Sequence, residues 1–527
     1  MKHNETVVKT LVKQGLGIFD PAKLISLAGQ EDLMLLESAD VVTKLGEKSM
    51  LFLDCALKIE SRLGNVAITA LMQEGIPLQK ELAHRFGHLV KSFDERELIL
   101  HFQPLFHQLD LLKKMRSLSA LDVLRAIMDL LNFHNEDQRK KFMLVGTLSY
   151  DFLDHFEKLP PAQADIHHYP DYLFYVPLTA IVLDHKTKQH ELIAHEFFQN
   201  QASLRLKRAE DLVRHSGQVD IFDAVTNKVE AQSQQGWSFD INTHEDIKVD
   251  ISHEDFGKLV ATCKEYIASG DVYQIVPSRT FSIPMKEPLF GYHALRLINP
   301  SPYMFYMQTR EWTLLGASPE TFIKVDKDGL RVSIRPIAGT RRRGFHKDGT
   351  IDEELDSREQ ASLCLDEKEL AEHMMLVDLA RNDIASVCKP RSRRIKRMLS
   401  VDRFSHVMHL VSEVEGRLLP DFDALSAYQA SMNMGTLMGA PKVRAAELLR
   451  TLEASKRGFY GGAVGYIDGS GNMDTSIIIR SALVHDNMAY VRAGCGVVSD
   501  SNIQFEVTET LNKAEATLRA LALVGSI

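Results

Sequence analysis

From about residue 253 onward the chain is a succession of glycine-centred apolar runs: TLLGAS, RVSIRPIAGT, GFYGGAVGYID, MDTSIIIRSALV and AYVRAGCGVV. Period-two alternation and β-branched side chains predict strands. Two strongly helical segments sit among them, near Lys368–Ile384 and Glu506–Leu523. In the first, Leu370, Met374 and Val377 form the expected apolar stripe. In the second the stripe is Leu511, Ala514, Leu518 and Leu521, with Glu506, Glu509 and Lys513 opposite. The expected fold class is α/β (α+β), a large, mostly antiparallel sheet core flanked by helices, in two interleaved parts.

With 527 residues, 45% of them apolar, the chain can bury a large core and is expected to form two or more domains. The division expected is a region 1–225, a linker at 226–252 (polar and poor in apolar periodicity) and a region 253–527. Strand-like runs in the first region are Met50–Leu53, Leu173–Val176 and Ala180–Leu183; helical ones are Leu118–Asn132 and Gln201–Ser216. A net charge of −9 argues against a general nucleic-acid binder. The basic run Arg391–Arg397 (RSRRIKR) reads as an exposed, solvated segment or as a local positive field near an anionic ligand or a partner. Five scattered cysteines without C-x-x-C spacing suggest reduced thiols, and the N-terminus lacks a signal-like apolar core, so a cytoplasmic protein with no membrane span is expected.

Each helix carries a Glu-x-x-Glu pair, Glu369/Glu372 and Glu506/Glu509. Residues three apart share a helical face, so each pair presents two carboxylates side by side. If the pairs face one spot they repel unless a cation lies between them, and such hard oxygen ligands suit Mg²⁺. The second pair opens its helix directly after a glycine-rich strand, where a ligand also feels the helix N-terminus.

Further constellations point to a small polyanionic carboxylate. IAGT (337–340) and MGTLMGAPK (434–442) each place a threonine, Thr340 and Thr436, beside a glycine that lets a ligand approach closely. Tyr460 precedes a Gly-Gly pair. Arg480 ends the apolar run Ile477–Ile479, and a buried arginine needs an anion. Gly494, Cys495 and Gly496 (AGCG, 493–496) offer backbone N–H groups suited to a carboxylate. His409, in an apolar context, reads as a core histidine or as a general acid or base. No nucleophile elbow, P-loop or dinucleotide fingerprint is present.

NPSPYMFYM (299–307), LLGASPE (314–320), IRPIAGT (334–340), ELAEHMMLVDLARND (369–383), MNMGTLMGAPKVRA (432–445), YGGAVGY (460–466) and IIIRSALV (477–484) together resemble the chorismate-utilising enzymes. The match spans essentially the whole chain and is closest to the large, component I subunits of anthranilate synthases. Water-adding members of the family carry a lysine base where this chain has Gln274. Aminodeoxychorismate synthases carry a lysine where it has Ala338. The resemblance therefore implies free ammonia as nucleophile, attacking chorismate and leading through aminodeoxyisochorismate to anthranilate and pyruvate.

By the same resemblance Glu372 and Glu509 hold Mg²⁺, with Glu369 and Glu506 in support, one of the glutamates being the proton donor. Arg480, Tyr460 and Gly494–Gly496 hold the enolpyruvyl carboxylate. Gly339 and Thr340 complete the pocket, Thr436 orients substrate or ammonia, Gln274 lines the site and His409 assists the elimination. No cysteine sits in a glutaminase elbow, so the implied ammonia source is a separate glutamine amidotransferase subunit, two of each chain forming a heterotetramer. LLES (35–38) resembles a tryptophan feedback motif, with Ser38, Lys48, Pro302, Tyr303 and Met304 as the implied L-tryptophan site. Two departures from the family pattern are Met438 and Thr508, where a serine and an acidic residue are common.

Overall fold

The computed structural model describes residues 6–40, 46–107, 110–198, 201–218, 220–235, 239–327, 330–346, 350–403 and 407–525. Twenty-three of its strands join into one hydrogen-bonded network, and almost every pairing in it is antiparallel. The exception is a short parallel match of Thr6–Val8 with Leu131–Phe133. That pairing ends the helix expected over 118–132 early, at Asp122–Leu130.

The two parts of the chain are sewn together along two seams. Strand Leu33–Ala39 pairs on one edge with Gly46–Arg62 and on the other with Tyr303–Gln308. Strand Met143–Leu148 pairs with Tyr172–Asp184 and with Ala463–Asp468. The runs expected at 173–176 and 180–183 are one strand, Tyr172–Asp184, buried over most of its length against two apolar layers. Buried side chains form two large clusters, one around Phe52, Phe102, Phe174 and Tyr428, the other around Leu35, Leu51, Tyr306 and Leu518.

The stretch 226–252 does not run as an extended connector. Its first half continues helix Asp223–Gln235, and Lys248–Val249 pairs with Ser282 and Phe281. Val225 and Val229, four apart, supply a narrow apolar stripe that the polar composition hides.

The basic segment runs into strand Arg394–Arg403, which pairs with Val407–Arg417. Lys396 pairs with Glu413 at 2.9 Å and Arg397 with Asp402 at 2.5 Å. Charged side chains on such a strand discourage pairing with another chain. No described helix is long and apolar enough to cross a membrane.

Both carboxylate helices form where expected, Glu367–Asp383 and Ile503–Gly525. The first is capped by Asp366, which accepts from the N–H groups of Lys368 (3.0 Å) and Glu369 (3.1 Å). Its buried face is His373, Leu376, Val377 and Ala380, not the expected 370–374–377 stripe; Met374 is exposed. His373 turns inward because Ser412 Oγ meets its Nε2 at 2.7 Å. In the C-terminal helix Ala514, Leu518 and Leu521 are fully buried, and each leucine contributes about 1.5–3 kcal/mol by leaving water. That anchoring orients Glu506, Glu509 and Lys513 toward the strands.

Candidate functional site

The two carboxylate pairs converge. Burial raises the Glu372 pKa above the ordinary glutamate value, and the charges of Glu369 and Glu509 raise it further. Burial likewise pushes Glu506 up to about 7, against the Ser501 hydroxyl 2.7 Å from Oε1, with the Glu509 charge adding to the rise. Glu509 shifts the other way. Its burial alone would raise it, but Lys513, with Nζ 2.9 Å from Oε1, and Arg480 hold it low.

The four carboxylates do not make a closed cage. Among the described residues no three His, Cys, Asp or Glu side chains form a metal-ligating group. Glu369 is held by Arg341 Nη1 at 3.1 Å, and Glu506 by Ser501. Glu372, which accepts from Gln274, and Glu509, paired with Lys513, act on each other across the gap. One or two carboxylates are what Mg²⁺ takes from a protein, the remaining positions going to water and substrate. The mutual repulsion recorded at Glu372 is what a divalent cation relieves, so these residues fit the ion.

Gln274 is 2% exposed, and its Nε2 donates to Glu372 Oε1 at 3.1 Å. A Cβ on Gly496 would stand 3.0 Å from that nitrogen and 3.6 Å from Glu372 Oε1. Gly339 adopts φ +72°, and its Cα faces Glu369 so closely that a Cβ would meet Oε2 at 3.1 Å. Its carbonyl is 3.3 Å from His409 Nδ1. Burial lowers the His409 pKa to about 4; the Gly339 carbonyl opposes the shift and Arg480 adds to it. The imidazole is neutral, and its Nδ1–H donates to Gly339, the tautomer in which Nε2 carries the lone pair. Thr340 is the cross-strand partner of His409; its side chain lies outside the described residues.

Arg480 sits between strands Met473–Ile477 and Ser481–His485 at φ +52°, and its carbonyl accepts from Ala317 N–H at 3.1 Å. Burial pulls its pKa below the ordinary arginine value, while Tyr460, Glu509 and Glu320 pull it back. These groups surround it, yet among the described residues none makes an ion pair or hydrogen bond with its guanidinium. Tyr460 is buried, its hydroxyl 3.0 Å from where a Cβ on Gly494 would stand. Lys513 Nζ donates to the Gly494 carbonyl at 3.1 Å. The Cys495 N–H, expected to serve a carboxylate, donates instead to Pro277 O at 3.1 Å, and its side chain is fully buried. Strand-to-strand closure claims that donor, and Lys513 brings a cation to the same place.

Three groups emerge that the motifs did not single out. Glu320 follows the fully buried strand Thr313–Ser318, and Thr436 Oγ1 donates to its Oε1 at 3.2 Å. Burial pushes its carboxyl up to about 8, with Thr436, Lys513 and Arg480 opposing, so it is protonated at neutral pH. A glutamate two residues beyond a buried strand was the available signal. Lys513 was visible only as a helix-face charge. Arg457, 2% exposed, holds the Leu437 carbonyl at 2.5 Å, the Val276 carbonyl at 2.6 Å and Glu453 Oε1 at 2.6 Å. Glu453 also accepts from Arg492 at 3.0 Å and from Ser278 Oγ at 2.7 Å. This buried ion cluster ties together the segments bearing Thr436, Gln274, Tyr460 and Gly494.

The departures are benign in position. Met438 is buried one turn end from Thr436, and exposed Thr508 returns its hydroxyl to the Gln504 carbonyl at 2.9 Å.

Ser38, Lys48, Pro302, Tyr303 and Met304 come together elsewhere. They line a cavity of about 130 Å³ together with Glu37, Tyr466 and Asp474. Ser38 and Lys48 are cross-strand partners. Glu37 is fixed by Ser49 Oγ at 2.7 Å, Tyr292 OH at 2.6 Å and Arg296 Nε at 3.1 Å.

The family model described as chorismate binding enzyme matches residues 94–519. Anthranilate synthase component 1 of Vibrio parahaemolyticus is 42% identical over 511 residues, covering 96% of this chain and 92% of that protein. The Escherichia coli K12 protein of the same name is 43% identical, covering 93% and 92%. The crystal structure of anthranilate synthase component I from Streptococcus pneumoniae superposes with a TM-score of 0.65 at 28% identity, covering 89% of this chain and 92% of that one. Matched so over nearly its whole length, the chain belongs to the chorismate-binding enzyme family, among its component I anthranilate synthases.

Proposed function

We propose that this chain, with Mg²⁺ bound, converts chorismate and ammonia to anthranilate, pyruvate and water, the entry to tryptophan synthesis. The observation that carries the reading is Arg480, a half-buried cation near Glu509 whose guanidinium, among the described residues, makes no ion pair or hydrogen bond. A substrate with two carboxylates at opposite ends spans that arrangement. Mg²⁺ between Glu372 and Glu509 would supply electrostatic stabilisation to the ring carboxylate. Arg480, Tyr460 and Lys513 take the enolpyruvyl carboxylate.

Ammonia adds at C2, the double bonds shift, and the C4 hydroxyl leaves as water on receiving a proton. Glu320, protonated and placed by Thr436, is the donor. This assigns to Glu320 the proton that was expected from one of the paired glutamates. In the second half, His409 Nε2 accepts the C2 proton as the C3–O bond breaks and pyruvate departs, leaving the aromatic ring. Gln274, an amide donating to Glu372, has no basicity with which to activate water, which favours an amine product over isochorismate.

The proton-donor role has a pH signature. Glu320 donates only while protonated, so turnover measured at a constant concentration of free ammonia is expected to fall about tenfold per unit as pH rises past about 8. In Glu320→Gln that limb should vanish along with most of the rate. A limb that persists unchanged in the variant assigns the proton to another group.

Ammonium, the dominant species at neutral pH, is not a nucleophile. The chain is therefore paired with a glutamine amidotransferase subunit, as two copies of each, in the cytoplasm. With chorismate and Mg²⁺, the purified chain should form fluorescent anthranilate from ammonium salts and none from glutamine. Glutamine turnover by this chain alone refutes the partner; p-aminobenzoate or isochorismate as product refutes the reaction. A non-catalytic amino-acid sensor on this scaffold would show no chorismate turnover at all. The cavity at Ser38 and Tyr303 is the L-tryptophan feedback site.

A further inference from the structure

The segment Ala317–Thr321, which links strands Thr313–Ser318 and Thr321–Asp326, is bonded on one side to reacting groups and on the other to residues that line the 130 Å³ cavity. On the catalytic side of the turn, Glu320 takes the Thr436 hydroxyl at 3.2 Å, and Ala317 N–H holds the Arg480 carbonyl at 3.1 Å. Ile477 N–H fixes the Glu320 carbonyl at 3.0 Å. On the cavity side stand Tyr303, Asp474 and Ser476. Tyr303 and Ser318 are cross-strand partners, and so are Thr321 and Ser476.

A hydrogen-bonded chain joins the cavity lining to this segment. Tyr303 donates its hydroxyl to Asp474 Oδ1 at 3.1 Å, and its oxygen then accepts from Thr321 Oγ1 at 3.0 Å. Thr321 is covalently joined to Glu320. The strand breaks register between Thr321 and Ile323, so the residue is aimed by a bulge and not by a regular ladder. The other Asp474 oxygen is paired with Lys324 at 2.7 Å.

We propose that Thr321 is the positioning residue through which occupancy of the cavity reaches the proton donor. The proposal rests on the cavity being the tryptophan site. An α-ammonium group entering there competes for Asp474, the acceptor of the Tyr303 hydroxyl. Tyr303 then releases Thr321, and the turn draws Glu320 off Thr436 and shifts the backbone that carries Arg480. The inhibited state is one in which proton donor and carboxylate anchor are displaced together, by a ligand that touches neither. Coupling of this kind is reciprocal and typically amounts to about 5–150-fold in affinity.

The test compares wild type, Thr321→Val and Thr321→Ser in two readouts: L-tryptophan binding by calorimetry, and inhibition of ammonia-dependent anthranilate formation at matched tryptophan occupancy. Valine keeps the shape and removes the hydroxyl. Expected is a Thr321→Val enzyme that binds tryptophan within about threefold of wild type yet loses most of its inhibition, while Thr321→Ser regains it. Full inhibition of Thr321→Val at matched occupancy overturns the proposal. So does loss of tryptophan binding in that variant, which makes Thr321 a ligand contact, or loss of its uninhibited turnover, which makes it part of catalysis. Absence of tryptophan binding to wild type removes the reading of the cavity itself and the coupling with it, and the separate binding measurement identifies that failure.

Discussion

Glu509→Gln is expected to reduce Mg²⁺-dependent anthranilate formation by on the order of 10³-fold or more while leaving the fold intact. Glutamine matches glutamate in size and retains an oxygen, so packing of the helix Ile503–Gly525 is unaffected. What changes is charge. Lys513, now 2.9 Å from Glu509 Oε1, loses its counter-ion beside Arg480, and the site gains an uncompensated cation where a metal ion has to bind. Repulsion and a lost ligand act in the same direction. Calorimetry should show Mg²⁺ affinity falling with the rate, and the thermal midpoint should stay close to wild type. Near-normal turnover would mean that the carboxylates converge for structural reasons only, and the functional reading would fail.

Arg457→Met is expected to destabilise the chain by about 3–5 kcal/mol, because removing one partner of a buried ion cluster strands the others. Arg457 lies 4.5 Å above the Tyr150 ring and holds Glu453 together with the carbonyls of Leu437 and Val276. Methionine fills the space but offers no donor. Glu453 is kept ionised despite full burial by Arg457 and Arg492, so losing one of them leaves a half-compensated charge in the core. Urea unfolding measures the loss, and Arg457→Lys should recover only part of it, since one ammonium cannot replace a fork of donors. A change below about 1 kcal/mol would show that the cluster relaxes or is hydrated, against its role as the clamp on the substrate-binding segments.

How much of this was readable in advance follows from the range of the forces involved. Local pattern fixed the strands and both carboxylate helices. Glu369 and Glu372, or Glu506 and Glu509, are neighbours by helical geometry alone. The same local view misjudged Met374, because the buried face of its helix is chosen by Ser412, thirty-nine positions from His373. It read 226–252 as a linker because two valines are too few to register as a stripe until Asp223–Gln235 has a surface to cover. It offered the Cys495 N–H to a substrate, not knowing that Pro277 lies opposite.

By itself, then, the sequence determined which side chains are available, on which element and on which face, and the combination of motifs identified the family. Tertiary structure alone decided which carboxyls are charged. Glu320 looked like an ordinary glutamate and is protonated, while Glu509, less deeply buried, is not. The difference arises because Lys513 stands 2.9 Å from Glu509, whereas Glu320 is more deeply buried and its side-chain hydrogen bond is to the Thr436 hydroxyl. Desolvation and Coulomb energy depend on distance through space, and the distances between these groups exist only once the two seams of the sheet have closed.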